Sequence, residues 1–319
     1  MTVFAAVAGA LAAVSLLAAL SLGSFPTPLR DVVSAVFFQA SGDVTDVVWN
    51  VRAPRAFAAF ACGALLALAG ALLQVLLRNA LADPYVLGVS GGAALGALLS
   101  LTFGAGVLVL NVSALVGAIG AIVIVFGLSY RAGDWNVYRL LLTGVVLSSG
   151  LAAMISLVLV LAPEAQVKGM LFWLMGDLSQ SETPLAAWLV LVVVLAIATA
   201  TGRELDLLAL GEVKAHSLGV AVGSLKLIIF ASAALATVTA VVLGGAIGFI
   251  GLMVPHAVRL AGVAHHRALI PLSALLGGGV LTIADTAART AWAPQQLPVG
   301  IFTALIGVPA MLILLARQR

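Results

Sequence analysis

Apolar residues in this chain run in long unbroken blocks, not in alternation and not as a one-sided helical stripe. Leu185 to Thr201, for example, contains no charged residue. A membrane barrel would need segments of about ten residues alternating apolar with polar. Blocks of this length can satisfy their backbone hydrogen bonds inside lipid only as helices. Taking Gly, Pro and charge clusters as punctuation, the pattern predicts spans near 2–22, 55–77, 85–103, 107–130 and 139–161, then 185–201, 225–243, 247–261, 268–289 and 299–316. The expected fold is an all-α integral membrane protein of about ten transmembrane helices, with residues 1–319 forming one transmembrane domain. Met1 to Leu22 has no basic residue ahead of its apolar core, the first being Arg30, so it is expected to be a retained span and not a cleaved signal peptide.

Composition agrees with the pattern. Of 319 residues, 63% are apolar and only 8% charged, far below the roughly 25% charged residues that coat soluble domains. The single cysteine, Cys62, excludes an internal disulfide and a cysteine metal cluster, and reads as a small packed side chain. A net charge of +3 taken alone would suggest nucleic acid, but the basic residues are scattered among apolar blocks, so nucleic acid is excluded as a partner.

An even number of spans puts both ends on one side. Five of the 15 basic residues (Arg30, Arg52, Arg55, Lys168 and Arg289) then fall on the far side and the other ten on the side of the termini, so the positive-inside rule predicts cytoplasmic termini. Arg52, Arg55 and Arg289 lie at span ends against that bias. They read either as a docking site for an acidic partner, gripped by guanidinium forks, or as ordinary snorkelling or an i, i+4 pair of Asp285 with Arg289.

Two polar connections are long. Pro163 to Pro184, with Trp173, Met175, Gly176 and Asp177, reads as an interfacial segment or as a mouth over a substrate path. Residues 202–223 mix charges with Leu207, Leu208, Leu210 and Leu218 and carry Gly211, Gly219 and Gly223. A plain tether needs neither the leucines nor the glycines, so one or two short helices presenting a face to another protein are expected.

Candidate chemistry is sparse. Among the four histidines, His265 and His266 are adjacent in a loop and read as headgroup contacts, with His216 and His256 isolated; no metal site is expected. H-E-x-x-H, C-x-x-C and G-x-x-x-x-G-K-[ST] are all absent, so neither enzymatic chemistry nor ATP hydrolysis is expected of this chain. The glycine-dense GGAIGFIG (Gly244 to Gly251) has no following lysine and is expected to serve close helix packing. Of the 12 acidic residues only Asp285 falls within an expected span, which favours an externally powered machine over an ion-coupled carrier, the alternative from another class.

The strings VRAPRAFAAFACGALLALAGALLQVLLRNALADPYVLGVSGGAALG, LALGEVKAHSLGV, GFIGLMVPHAVRL and LPVGIFTALIGVPAMLILL together resemble the permease subunit of type II ATP-binding-cassette importers, which carry iron-siderophore complexes, haem and cobalamin across the bacterial inner membrane. The likeness runs from Arg52 to Leu315, with Ala80 departing from the family's R-N-P-L-A-D-P. It implies a homodimer with a path on its two-fold axis, two separate ATPase subunits that bind the ATP and Mg, and no cofactor on this chain. It also implies that Leu208, Ala209, Leu210, Gly211, Glu212, His216, Leu218 and Gly219 form the ATPase-coupling element. Arg52, Arg55 and Arg289 match arginines that grip a periplasmic binding protein. The family's path runs chiefly along the fifth helix, where Thr143, Gly144, Ser148 and Ser149 are the candidates to line it or else to pack against a neighbouring helix; the start of that helix, Asn136 and Val137, is the candidate cytoplasmic gate. The expected cargo is an iron compound, haem or a ferric siderophore, with cobalamin the alternative.

Overall fold

The computed structural model describes residues 2–23, 27–36, 42–131, 134–135, 137–179, 181 and 184–316. Of the residues singled out above, Asn136 lies outside them. In chain order the helices are α1 (Thr2–Ser21), α2 (Leu29–Val36), α3 (Asp43–Asp46), a π-helical turn Val47–Arg52, α4 (Ala53–Leu76), a 3-10 turn Pro84–Leu87, α5 (Val89–Thr102) and α6 (Val107–Ser129). A two-residue ribbon, β1 (Tyr130–Arg131) antiparallel to β2 (Asp134–Trp135), leads into α7 (Val137–Leu161). Then come α8 (Glu164–Leu174), α9 (Leu185–Ala200), α10 (Gly202–Ala209), α11 (Glu212–Ser217), α12 (Val222–Gly244), α13 (Ile250–Leu260), α14 (His266–Thr290) and α15 (Val299–Ala316).

Each of the ten expected spans contains a helix, yet they are unequal. Among the described residues, six stretches are long and apolar enough to cross a membrane: Val3–Ser21, Asp43–Leu76, Val107–Ser129, Tyr138–Leu161, Val222–Gly244 and His266–Thr290. The pair α9 and α10, bent by 60°, makes a seventh if read as one broken span. Helices α5, α13 and α15 are apolar but shorter. At 1.5 Å per residue the 11 residues of α13 rise only about 16 Å, against about 30 Å of hydrocarbon.

The short helices have a physical cause. The expected span 247–261 is not helical at its start: Gly245 and Phe249 both have φ of 71°, which breaks the chain between α12 and α13. The turn 84–88 does the same ahead of α5, with Asp83 capping Tyr85 N at 2.8 Å and Gly88 left-handed. Burial pushes the Asp83 carboxyl above the ordinary aspartate range, and that hydrogen bond pulls it back. Irregular backbone in an apolar bundle needs partners from protein, and the two breaks supply them to each other. The Tyr85 hydroxyl donates to Ile247 O and accepts from Ile247 N, both at 2.9 Å.

The core sits around α4, which is buried along nearly its whole length and packs against α14, α12, α13, α9 and α1. Its glycines set the spacing. A Cβ on Gly70 would fall 1.8 Å from the carbonyl oxygen of Gly251, and one on Gly63 2.3 Å from that of Gly277, so only glycine lets the α13 and α14 backbones approach. The expectation of close packing therefore holds for Gly251. It holds as well for Gly244 and Gly245, where a Cβ would fall 2.8 Å from the Leu178 side chain and 2.3 Å from Trp173 O, while the stretch from Gly245 to Phe249 makes the break.

Candidate functional sites

Helix α14 marks the two ends of the bundle. Its 25 residues span about 37 Å from His266, beside α10, to Arg289, beside the C-terminus of α1.

At the His266 end, residues 202–219 form the two short helices expected. Leu205, Leu208 and Ala215 are buried and anchor them. Ala209, Leu210, Val213, His216 and Leu218 face outward, Val213 at 85% exposure. Gly211 and Gly219, with φ of 114° and 86°, make the turns after α10 and α11 that no L side chain accommodates without strain. Glu212 is bonded at 2.5 Å to Lys226 of α12, which pins α11 to a long helix. Of the coupling residues expected from sequence, Leu208 is thus an anchor, Glu212 a tie, and the outward apolar edge is Leu210, Val213 and Leu218. Val213 was missed; its outward direction depends on the turn at Gly211.

The histidine pair does not behave as a pair of headgroup contacts. His265 is exposed, with Nδ1 3.3 Å from Asp206 Oδ2, whereas His266 is buried. Asp206 Oδ1 accepts from both the backbone N–H and Nδ1 of His266, at 2.9 and 2.6 Å. A carboxylate from α10 therefore fixes the start of α14. In the loop where Ala80 replaces a family proline, Asn79 builds the turn: its Oδ1 accepts from Leu81 N at 2.9 Å and its carbonyl from Ala82 N at 3.1 Å.

At the other end, Arg52, Arg55 and Arg289 converge, but on the chain itself. Arg55 forks onto Asp285 with three bonds of 2.8 to 3.1 Å and reaches Gln296 at 2.6 Å. Arg289 Nε stands 3.9 Å from Asp285, and its Nη2 donates to Ala19 O. Arg52 donates to Leu20 O and Ser21 O at 2.8 and 2.9 Å. The last carbonyls of a helix have no intrahelical donor and carry its negative end, so guanidinium groups cap α1 twice over. Arg52 and Arg289 are buried, and the Arg55 side chain is 12% exposed. The i, i+4 pairing of Asp285 with Arg289 exists, but the closer partner of Asp285 is Arg55, 230 residues away.

Helix α7 packs through one stripe. Leu140 and Leu151 are buried, and Gly144 is pressed against the 3-10 turn, where a Cβ would lie 2.2 Å from Val86 O. Thr143 and Ser148 are half-buried, while Ser149 is exposed with its hydroxyl bonded back to Val145 O. The open face also carries Tyr138, Leu142, Val145, Val146 and Met154. Gly144 therefore points away from that face. Val137 is the first residue of α7. Cys62 is fully buried among apolar neighbours. No group of three or more potential metal ligands occurs among the described residues.

The comparisons with known proteins agree across the chain. The model of the FecCD transport family matches residues 11–317. The cobalamin import system permease protein BtuC of Halobacterium salinarum is 42% identical over 92% of this chain and 80% of that protein. The hemin transport system permease protein HmuU of Yersinia pestis is 40% identical over 86% of this chain and 85% of that one. A solved structure described as "An inward-facing conformation of a putative metal-chelate type ABC transporter" superposes with a TM-score of 0.87 at 29% identity, covering 99% of this chain and 100% of that one. The chain belongs to the FecCD transport family: it is a multi-pass membrane permease of the type II ABC importers, a subunit that is not itself an enzyme.

Proposed function

We propose that this permease imports an iron chelate, haem or a ferric siderophore, by alternating access in the bacterial inner membrane, as a homodimer served by two ATPase subunits and a periplasmic binding protein. ATP and Mg are bound by the ATPase subunits. The broken and short helices complete a ten-span topology with both termini cytoplasmic, so residues 202–219 face the ATPase and the arginine cluster faces the binding protein. The observation that carries the reading is the outward apolar edge of Leu210, Val213 and Leu218 on an otherwise polar connection, held rigidly by Leu205, Leu208, Ala215 and the Glu212–Lys226 bond. Exposed leucine and valine on a pinned helical turn suit the groove of another protein.

ATP-driven approach of the two ATPase subunits would push this edge, and the push would reach α12 through Lys226 and α14 through Asp206. The two permease copies would then rock and open the path to one side at a time. At the far end, Arg55 is the docking arginine, with Arg52 and Arg289 positioning the helix ends around it. The open face of α7 faces the path, with Thr143, Ser148 and Ser149 as its polar members and the start of the helix at Val137, beside Asn136, as the gate. A relative named for cobalamin and one named for hemin match this chain about equally well, so cobalamin is the second cargo reading.

The test is Val213→Asp and Leu210→Asp in the chain co-expressed with its ATPase. Both side chains are exposed in the folded chain, so expression and folding should be unchanged. Co-purification of the ATPase and binding-protein-stimulated hydrolysis should fall about tenfold or more, the cost of burying an acid at an apolar contact. Full assembly and transport with both substitutions would remove the coupling assignment.

A further inference from the structure

At the end of the bundle that carries residues 202–219 there is a pocket of about 230 Å3 between α4, α10, α13 and α14. Its wall includes Arg78, Arg259 and His266, with Gln74, Asn79 and Ala209 beside them, and no carboxylate lines it. Asp206, the nearby acid, is occupied by the two histidines. Arg259 donates to a neutral amide, Gln74 Oε1, while Gln74 Nε2 is fixed on Gly251 O and Leu252 O. The guanidinium is thus held in place without its charge being neutralised. The side chain of Arg78 pairs with no acid among the described residues.

His266 supplies an independent sign of a ligand. It is 95% buried by its 5% exposure, its Nδ1 is committed to Asp206, and its Nε2 is buried with no hydrogen-bond partner. Buried polar atoms are nearly always paired, so an orphan nitrogen on a side chain that lines a cationic pocket points to a missing group. The partner must accept from two guanidinium groups and also bond to an imidazole nitrogen, either by donating O–H to the neutral ring or by accepting N–H from the charged one. A cation meets only like charge here. A phosphate-type oxyanion satisfies all three, because it has several acceptor oxygens and can carry one proton.

We propose that this pocket binds a phosphate-type oxyanion, held by Arg78, Arg259 and the Nε2 of His266. The group comes either from the headgroup of an anionic lipid or from free phosphate. Ala209 of the 202–209 helix shares the wall, so occupancy stiffens the junction of α10 with α4 and α13. The proposal needs no ATPase and no cargo, and its outcome is independent of the transport reading.

The test uses the purified full chain. One arm titrates inorganic phosphate in detergent by calorimetry, with chloride at matched ionic strength as control. The other reconstitutes the chain in nanodiscs of phosphatidylcholine with or without phosphatidylglycerol and counts retained lipid by native mass spectrometry. Saturable phosphate binding alone identifies free oxyanion, and retained phosphatidylglycerol that phosphate displaces identifies a headgroup. In either case Arg259→Gln should weaken binding about tenfold or more, and the exposed Arg78→Gln about threefold with the fold intact. Binding of neither probe above the chloride control would overturn the proposal, as would binding indifferent to Arg78→Gln in a folded variant. A pocket filled instead by an acidic side chain of a partner protein would give the first of these results.

Discussion

Asp285 and the two arginines paired with it, Arg55 and Arg289, show how much one buried charge constrains. The carboxylate is 1% exposed and is compensated chiefly by the Arg55 fork, with Arg289 more distant. Removing one member of a buried pair leaves the other charged and unsolvated, whereas replacing both with apolar groups of similar volume is far milder. Arg55→Ala should therefore destabilise the purified permease by about 3 kcal/mol or more, read as thermal unfolding in detergent. Arg55→Met with Asp285→Leu should recover part of that loss, the remainder being the cost of buried Arg289 left without its acid. If the single and double variants unfold alike, the pair is not what links α4 to α14. The sequence marked all three residues as unusual but offered only the i, i+4 partner. Periodicity reveals neighbours on one helix, and nothing local indicates that residue 55 meets residue 285. The same limit hid the inward turn of Gly144 and the role of Arg52 as a cap on α1.

At the scale of elements, the long apolar runs were legible because lipid and a helical bundle impose the same demand on the backbone. All ten segments are helical near the expected positions. The breaks were not legible. Phe249 at φ 71° and the turn at Pro84 are stabilised by Tyr85 contacting Ile247, a tertiary contact across 162 residues. Nor did hydropathy rank α4 above the other spans, although its all-round apolar surface is what a central helix needs. Glycine spacing carries the missing information. Gly70→Ala would drive a Cβ into the Gly251 carbonyl and force α4 from α13, costing about 1–3 kcal/mol or more as an overpacking change. Gly120→Ala, on α6 with nothing within 4 Å, should be neutral or slightly stabilising by helix propensity. Comparing the yield of folded protein and the midpoint of thermal unfolding for the two variants checks this. Equal tolerance would mean the two backbones can separate at little cost.

For the whole molecule, the question is which exposed apolar surfaces meet lipid and which face a second copy or an aqueous path. The outward side of α6 is aliphatic throughout, from Leu108, Val112 and Val116 to Ile119 and Val123, as a lipid-facing helix requires. The outward side of α7 is mixed, with Ser149, Gly150 and Ser156 set among Val145, Val146 and Met154. Hydroxyls on an exposed face are poorly suited to hydrocarbon, even with Ser149 bonded back to its own helix. In the assembled transporter α7 should therefore contact water along the path while α6 contacts lipid. Native Cys62 is fully buried and should not react with a polar thiol reagent, so single cysteines can be introduced on the natural background. Ser149→Cys should react with a charged, membrane-impermeant thiol reagent, at a rate that changes when ATP drives the assembly between states. Val116→Cys should stay unreactive throughout. Labelling at 116 with protection at 149 would exchange the two surfaces and place the path on α6.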